Sequence, residues 1–567
     1  MAKVSKKNKV ITKLKNFIND KNIDGYIFPK NDCYFTEYSK INNLSKITNF
    51  TGSAGFALIL KDLNYLFVDG RYTLQAKKEA GKKFKILEIP YFFPKDLTNL
   101  YNFKIGFNPK LFTENTLEKY FSDYFNLIPI EYNFKNKIEK KSNKIFKLDK
   151  LITGESTKSK IIKVRNYMKK NKLDYLFISA SENVNWLLNI RGNDLPNSPI
   201  INCKLIITIR GKIYLFLSFN KLNKSSKMYL KNIILCEENK FFEILSKLQN
   251  GNFCIDKNTC SIFEKKILSS NFKITQTTDP IYDLKSIKNA TEIKNIYKAH
   301  IEDGVAVTKF IYWFKKNEKA VNERKVEIKL ENLRKKSKNY LYPSFDTIAG
   351  SGPNGAIIHY KSNKFTNRKL KTNDILLVDS GGQYKWGTTD ITRTICKGSI
   401  SNKIKDNFTR VLKGHIAVVK CDLKKNYNGY LIDKLARKYL KSVGLDYSHG
   451  TGHGVGFFMN VHEGPQAISK YNKVRIRKGM VLSNEPGFYM ENKYGIRIEN
   501  LIYADELKKK LIFKNLTFAP IDIDLINFKM LNLQEKRYMF EYHLDIYSKI
   551  SKFLNKKEKN WLIRLIK

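Results

Sequence analysis

Seven histidines occur in the chain, and four of them, His359, His449, His453 and His462, fall in one stretch of the C-terminal half. Three share a single passage, HGTGHGVGFFMNVHEGP, residues 449–465. A lone histidine usually serves structure, as His300, His415 and His543 on their predicted helices would. Four gathered beside unusual carboxylates point to a site. Asp379 closes the apolar run Ile375-Leu376-Leu377-Val378, where an unpaired charge is costly to bury. Asp390 follows a Gly-Gly turn on the next predicted strand, so the two acids can face each other across a hairpin. Glu499 ends the predicted strand Tyr494–Glu499, where alternation places it on the face of Arg497. Glu485 sits in Leu482-Ser483-Asn484-Glu485-Pro486-Gly487, where Pro and Gly turn the chain sharply. Four inward carboxylates and one imidazole are mostly hard oxygen donors. That set suits a pair of divalent first-row ions such as Mn²⁺ better than a structural zinc. The charges also close, since four carboxylates balance two dications. Any one of these acids alone would read as a surface group paired with lysine.

Other motifs carry less. Gly350–Gly355 matches G-x-G-x-x-G, but Ala356-Ile357-Ile358 after it reads as a strand, and a dinucleotide loop needs a helix there. No phosphate-binding Walker sequence, G-x-S-x-G elbow or H-E-x-x-H helix is present. The glycines of 450–456 would let backbone approach a ligand or metal closely.

The elements that position these residues are legible at coarse grain. Asn289 stands three residues before Glu292, a capping box, and Ile293, Ile296, Tyr297, Ile301 and Val305 recur at helical spacing towards Phe314. From Asp374 the text turns to strands, and from Gln534 to an amphipathic helix. Upstream, a helix running into the strand entry Ile23–Phe28 recurs 150 residues later at Leu173–Ile178. Each copy is followed by a turn containing Gly52 or Gly192 and a strand pair, Phe56–Leu60 with Tyr65–Val68 and Leu205–Ile209 with Ile213–Phe216. Strands alternating with helices predict α/β domains with partly parallel sheets, and the long offset predicts a domain duplication. The polar stretch around 135–160 reads as the linker.

At 567 residues the chain exceeds the roughly 100–200 of one domain. Its 42% hydrophobic and 28% charged residues exclude wholesale disorder. No apolar run approaches the roughly 18–20 residues of a membrane span, and lysines break every apolar run near the N-terminus. Seven cysteines without a C-x-x-C pair read as reduced thiols, so a cytoplasmic protein is expected. The net charge of +51 could mark a nucleic-acid partner. The lysines are spread over the whole length in an Asn-, Ile- and Tyr-rich text, however, which reads as a solvated surface with no dedicated nucleic-acid site.

The ordered set Asp379, Asp390, His453, Glu485 and Glu499, with His359 upstream and HGTGHGVG…NVHEGP between, resembles the pita-bread metallopeptidases. Within them it is similar to the three-domain cytosolic aminopeptidase P (Xaa-Pro aminopeptidase) type. Phe50–Gly55 and Val68–Tyr72 resemble that type's first domain, Trp186–Gly192 its second, and Ala519-Pro520-Ile521-Asp522 its C-terminal end. The resemblance implies two related N-terminal α/β domains, 1–150 and 151–284, a pita-bread catalytic domain, 285–505, and an extension, 506–567, that forms a homodimer. It implies that Asp379 binds one metal, His453 the other, that Asp390 and Glu499 bridge them, and that Glu485 is also a ligand. His359, His449 and His462 fall on substrate-contacting positions, as does Arg71 of the first domain, while Arg497 would support the metals from behind. The implied substrates are peptides with proline second, and Glu485 is the expected proton carrier. A nucleic-acid-binding module on the same fold is the alternative class. Its members typically lack the metal ligands, and all five are present here.

Overall fold

The computed structural model describes residues 2–37, 39, 41–132, 134, 144–317 and 320–566, the side chains of 2–9 and 82 excepted. It divides into two compact units, one of residues 1–149, 155–196 and 200–282, the other of 150–154, 197–199 and 283–567.

The N-terminal unit holds two six-stranded sheets built alike. The first runs Lys85–Ile89, Asn64–Asp69, Phe56–Leu60, Gly25–Pro29, Lys104–Phe107, Asn126–Pro129. The second runs Ile234–Cys236, Ile213–Phe216, Lys204–Thr208, Tyr175–Ile178, Asn252–Asp256, Lys273–Thr277. In both, the three central strands are antiparallel and the outer pairings parallel, so the duplicated text folds into a duplicated topology. Alternation sends Tyr26 and Phe28 to one apolar layer and Ile27 to the other, which buries both faces. Of the expected linker, residues 135–143 lie outside the described residues. Its remainder carries the strand Phe146–Lys147 and the helix Lys150–Thr153, and Ser156 caps the helix Thr157–Lys170.

The C-terminal unit pairs helices with antiparallel sheets. Asn289 caps the helix Ala290–Lys316, and Glu292 returns the bond in the expected capping box. Its Val307, Phe310 and Phe314 pack with Val326 and Leu330 of the helix Glu323–Arg334 against Leu376, Val378 and Ile395 of a three-stranded sheet. That sheet orders Ile348–Ser351, Ile375–Ser380, Ile391–Cys396. A second helix pair, Asn402–Val419 and Gly429–Lys441, packs through Phe408, Val411, Ile416, Ile432 and Leu440 on a five-stranded sheet. Its order is Glu463–Ile468, Gly452–Gly454, Val481–Asn484, Asn500–Leu507, Lys510–Asn515. The tail forms the helices Leu533–Ile550 and Lys556–Ile563. No helix among the described residues is long and apolar enough to cross a membrane.

The three histidines read as structural are all buried in helices. His300 Nδ1 meets the Ile296 carbonyl at 2.8 Å. His415 Nδ1 meets that of Asn484 at 3.1 Å, and His543 Nε2 accepts from the Ile521 amide at 3.3 Å. Burial pushes His415 down to about 3 and His543 down to about 4. The folded ring stays neutral while the unfolded ring protonates below its ordinary 6.5, so this stability is whole above about pH 6.5 and is lost as pH falls towards 4. His543→Gln should therefore flatten the acid loss of stability by up to about 1.4 kcal/mol per pH unit, measured by denaturant melts between pH 4.5 and 7.

Candidate metal centre

Strands Ile375–Ser380 and Ile391–Cys396 pair antiparallel, with Asp379 opposite Thr392 and Ser380 opposite Ile391. The link between them is no short Gly-Gly turn. The chain leaves for the hairpin Gly382–Tyr384 with Gly387–Thr388, part of a different sheet, where Gln383 donates to the Met459 carbonyl at 2.8 Å. Strand pairing, not the turn, brings Asp379 and Asp390 together.

The expected strand Tyr494–Glu499 is likewise interrupted. Tyr494–Arg497 pairs with Gly487–Met490, and the chain resumes as Asn500–Leu507 in the five-stranded sheet. Glu499 lies at that break, and Glu485 at the matching break between Val481–Asn484 and Gly487–Met490. The shared face of Arg497 and Glu499 survives through one hydroxyl. Thr392 Oγ1 accepts from Arg497 Nε at 3.1 Å and donates to Glu499 Oε2 at 2.7 Å. Arg497, 1% exposed, also donates from Nη2 to Asp379 Oδ2 and from Nη1 to the Tyr489 hydroxyl, both at 2.6 Å. The backbone of Glu485 is fixed by the Thr451 carbonyl at 2.7 Å.

His453 is aimed by its own strand. Nδ1 donates to the Gly454 carbonyl at 2.9 Å, which leaves the Nε2 lone pair free in the neutral ring. Nε2 then faces Asp390 Oδ2 at 3.4 Å and Glu485 Oε1 at 3.5 Å. Ser483 Oγ accepts from the His453 amide at 2.9 Å and donates to Glu485 Oε1 at 3.1 Å. Gly452, Gly454 and Gly456 around His453 allow other protein segments to approach closely. A Cβ on Gly452 would lie 1.9 Å from the Ser483 carbonyl oxygen.

Donor atoms of Asp390, His453 and Glu499 lie within 4.8 Å of one another. Asp379 Oδ1, Asp390 Oδ1 and Glu499 Oε1 are buried without a hydrogen-bond partner among the described residues. Burial first, then the neighbouring carboxylates, raises Asp390 and Glu499 well above the usual carboxylate range. Lone pairs facing lone pairs in a buried space call for cations between them, and the donor set fits a divalent pair. A second group, Cys396, Asp522 and Asp524, differs: Lys315 Nζ already bridges its two carboxylates, 2.6 Å from Asp522 and 2.8 Å from Asp524.

Of the remaining histidines, His462 adjoins His453, and His449 reaches Arg497 through Tyr489. The His462 ring is 4.3 Å from that of His453, edge to face. Behind it the buried Glu463 is held by Lys285 at 3.1 Å and by Lys288. His449 Nδ1 meets the Gly450 carbonyl at 2.7 Å, so Nε2 accepts from Tyr489, 2.9 Å away. His359 follows the 3₁₀ turn Gly352–Ala356, and no strand forms at 356–358, where the chain passes from that turn into a bend. That loop packs on the strand bearing Arg497, since a Cβ on Gly495 would meet the Gly355 carbonyl oxygen at 1.8 Å. The fully buried Glu323 anchors it, accepting from the Ser351 amide at 2.8 Å, the Arg368 amide at 2.9 Å and the Tyr360 hydroxyl at 2.8 Å. Arg71 belongs to the other unit, where Asp69 holds its guanidinium in a two-point pair at 2.9 Å. The sequence reading missed Thr392, Tyr489, Ser483 and Glu323. For Thr392 the available signal was a polar run, Thr392-Arg393-Thr394, within a strand.

Comparison with known proteins agrees with this architecture. Residues 294–506 match the metallopeptidase family M24, 509–567 its C-terminal region, and 11–133 and 136–292 two creatinase/prolidase N-terminal domains. The Xaa-Pro aminopeptidase 1 of Dictyostelium discoideum is 36% identical over 100% of this chain and 97% of its own. A probable Xaa-Pro aminopeptidase P of Laccaria bicolor is 34% identical over 96% and 90%. Among solved structures, the X-prolyl aminopeptidase of Caenorhabditis elegans, described as a cytosolic enzyme with a di-nuclear active site, superposes with a TM-score of 0.89 at 28% identity, covering 96% of this chain and 95% of that one. The prolidase of Pyrococcus furiosus covers only 62% of this chain, with a TM-score of 0.51 and 26% identity. Fold and site thus define a hydrolase of the pita-bread metallopeptidase class, with two creatinase-like domains ahead of the catalytic one. The chain belongs to the metallopeptidase family M24 and, within it, to the Xaa-Pro aminopeptidases.

Proposed function

We propose that this chain removes the N-terminal residue from peptides whose second residue is proline. The convergence of partnerless buried carboxylate oxygens with His453 Nε2, in a chain related end to end to Xaa-Pro aminopeptidases, carries the reading. Asp379 would hold one divalent ion, His453 the other, Asp390 and Glu499 both, with Glu485 completing the set; Mn²⁺ suits these donors. Such a pair supplies a nucleophilic hydroxide at neutral pH and polarises the scissile carbonyl. Around it, His359 and His462 would donate hydrogen bonds to the developing oxyanion and His449 would contact the substrate. Glu485 would take the proton of the attacking hydroxide and pass it to the proline nitrogen, a poor leaving group until protonated. Arg497, bound to Asp379 at 2.6 Å, keeps that carboxylate oriented.

The working compartment proposed is the cytosol, as described for the Caenorhabditis elegans neighbour. The assembly proposed is a homodimer through the extension, whose helix Leu533–Ile550 exposes Phe540 and Leu544 one turn apart. A monomer mass in light scattering at micromolar concentration would reject it. The activity test is release of the first residue from an Xaa-Pro-Xaa tripeptide by Mn²⁺-supplemented protein, abolished by chelator and restored by metal. Cleavage of Xaa-Pro dipeptides alone would make it a prolidase instead. Absence of bound metal together with salt-sensitive nucleic-acid binding would make it a binding module.

A further inference from the structure

Arg393 lies between Thr392 and Thr394 on the strand that follows Asp390, and it is 2% exposed. No carboxylate pairs with it among the described residues. Its hydrogens go instead to neutral acceptors on both sides. Nη1 donates to the Glu499 carbonyl at 2.6 Å and the Thr392 carbonyl at 2.9 Å. Nε donates to the Pro520 carbonyl at 2.9 Å. Nη2 reaches the Ala519 carbonyl at 2.7 Å, Asn500 Oδ1 at 2.9 Å and the Tyr542 hydroxyl at 2.9 Å. A buried guanidinium without a counter-ion is costly, and a neutral residue of similar volume would ordinarily be the more stable choice.

What the arrangement achieves is a three-point hold on Glu499. Thr392 Oγ1 binds its carboxylate at 2.7 Å, the Thr392 carbonyl accepts from its amide at 3.1 Å, and Arg393 binds its carbonyl. The other end of Arg393 is fixed by the segment Ala519-Pro520-Ile521-Asp522, which the activity leaves without a role. Tyr542, on the helix Leu533–Ile550, donates to the Ala519 carbonyl at 2.9 Å while accepting from Arg393. Its neighbour His543 bonds the Ile521 amide, and Asp522 Oδ2 accepts from the Cys396 amide at 2.9 Å.

We propose that Tyr542 and Arg393 are positioning residues for Glu499, so that the C-terminal extension is part of the metal centre. The inference rests on the metal reading above and goes beyond it, because neither residue touches metal or substrate. Outer groups that orient a ligand typically change metal affinity by about 10–100-fold when removed.

Tyr542→Phe removes one hydroxyl and keeps the ring. In full-length protein, titration with Mn²⁺ should show at least one site about tenfold weaker than in wild type. The paramagnetic resonance spectrum should shift from a coupled-pair signal towards that of isolated Mn²⁺ at substoichiometric loading, with little change in the metal-free melting temperature. Arg393→Lys, which keeps the charge and loses the fork, should show the same pattern more strongly. His543→Gln is the control: it loosens the same helix at Ile521 and should lower stability while leaving Mn²⁺ affinity unchanged. Equal affinity and an unchanged spectrum in Tyr542→Phe would overturn the proposal while leaving the metal reading intact. So would a parallel loss of stability and affinity in both Tyr542→Phe and His543→Gln. Wild-type protein that binds no Mn²⁺ would remove the metal reading and this inference with it.

Discussion

Glu485→Gln should keep both metal positions filled and slow turnover of an Xaa-Pro-Xaa peptide at least about a hundredfold. The substitution preserves shape and one coordinating oxygen but cannot accept a proton. The surroundings favour retention of that geometry: the Thr451 carbonyl fixes the Glu485 amide, and Ser483 Oγ meets Oε1 at 3.1 Å. Glu485 also stands at a sheet break with Oε1 only 3.5 Å from His453 Nε2. The loss should fall on kcat, with KM little changed, because the proton moves only during reaction. Metal content by mass spectrometry separates this from simple loss of ions. A fully loaded variant nearly as fast as wild type would reassign the shuttle.

Asp390→Asn should have the larger effect on activity and the opposite effect on the empty protein. Removing one carboxylate from the donor set should lower the metal content below two per chain. Loss of an electrophilic centre worth several kcal/mol corresponds to about a thousandfold or more in kcat/KM at tenfold per 1.36 kcal/mol. The metal-free protein should nevertheless melt higher than metal-free wild type. Asp390 is 4% exposed, its Oδ1 has no hydrogen-bond partner among the described residues, and burial and neighbouring acids both work against its charge. An amide there carries no charge and can donate to Glu499. Active-site groups of this kind commonly trade stability for function. A metal-free Asp390→Asn protein less stable than wild type would mean that Asp390 also holds the fold.

The duplication, the capping box at Asn289 and the gathering of Asp379, Asp390, His453, Glu485 and Glu499 were legible, because each leaves a local mark. A repeat shows as spacing, a cap as two residues three apart, and a buried acid as a charge inside an apolar run. What could not be read was where strands stop. Alternation reads Glu499 as the end of one strand, yet it lies between two strands in different sheets, and the turn expected before Asp390 is a hairpin excursion. Alternation is a property of an unbroken strand, and it carries no mark of a change of sheet. Thr392, Arg393 and Tyr489 escaped for another reason. Most of their partners are far away in sequence, as Tyr542 is from Arg393, and no spacing rule reaches across such a distance.

Placing Glu485 and Glu499 at sheet breaks has a genetic consequence. A residue inside a sheet receives its backbone partners from the ladder, whatever its neighbours are. At a break those partners must be supplied one at a time: the Thr451 carbonyl for Glu485, and Thr392 and Arg393 for Glu499. Thr451 is in turn bonded by Asp433, and Asp433 is held by Arg437 at 2.7 Å. Each acid therefore commits several further codons, which enlarges the mutational target of the centre well beyond the residues that would touch metal or peptide. Loss-of-activity alleles from random mutagenesis should accordingly accumulate at positions such as Arg437 and Arg393, which an inspection of the cleft alone would pass over.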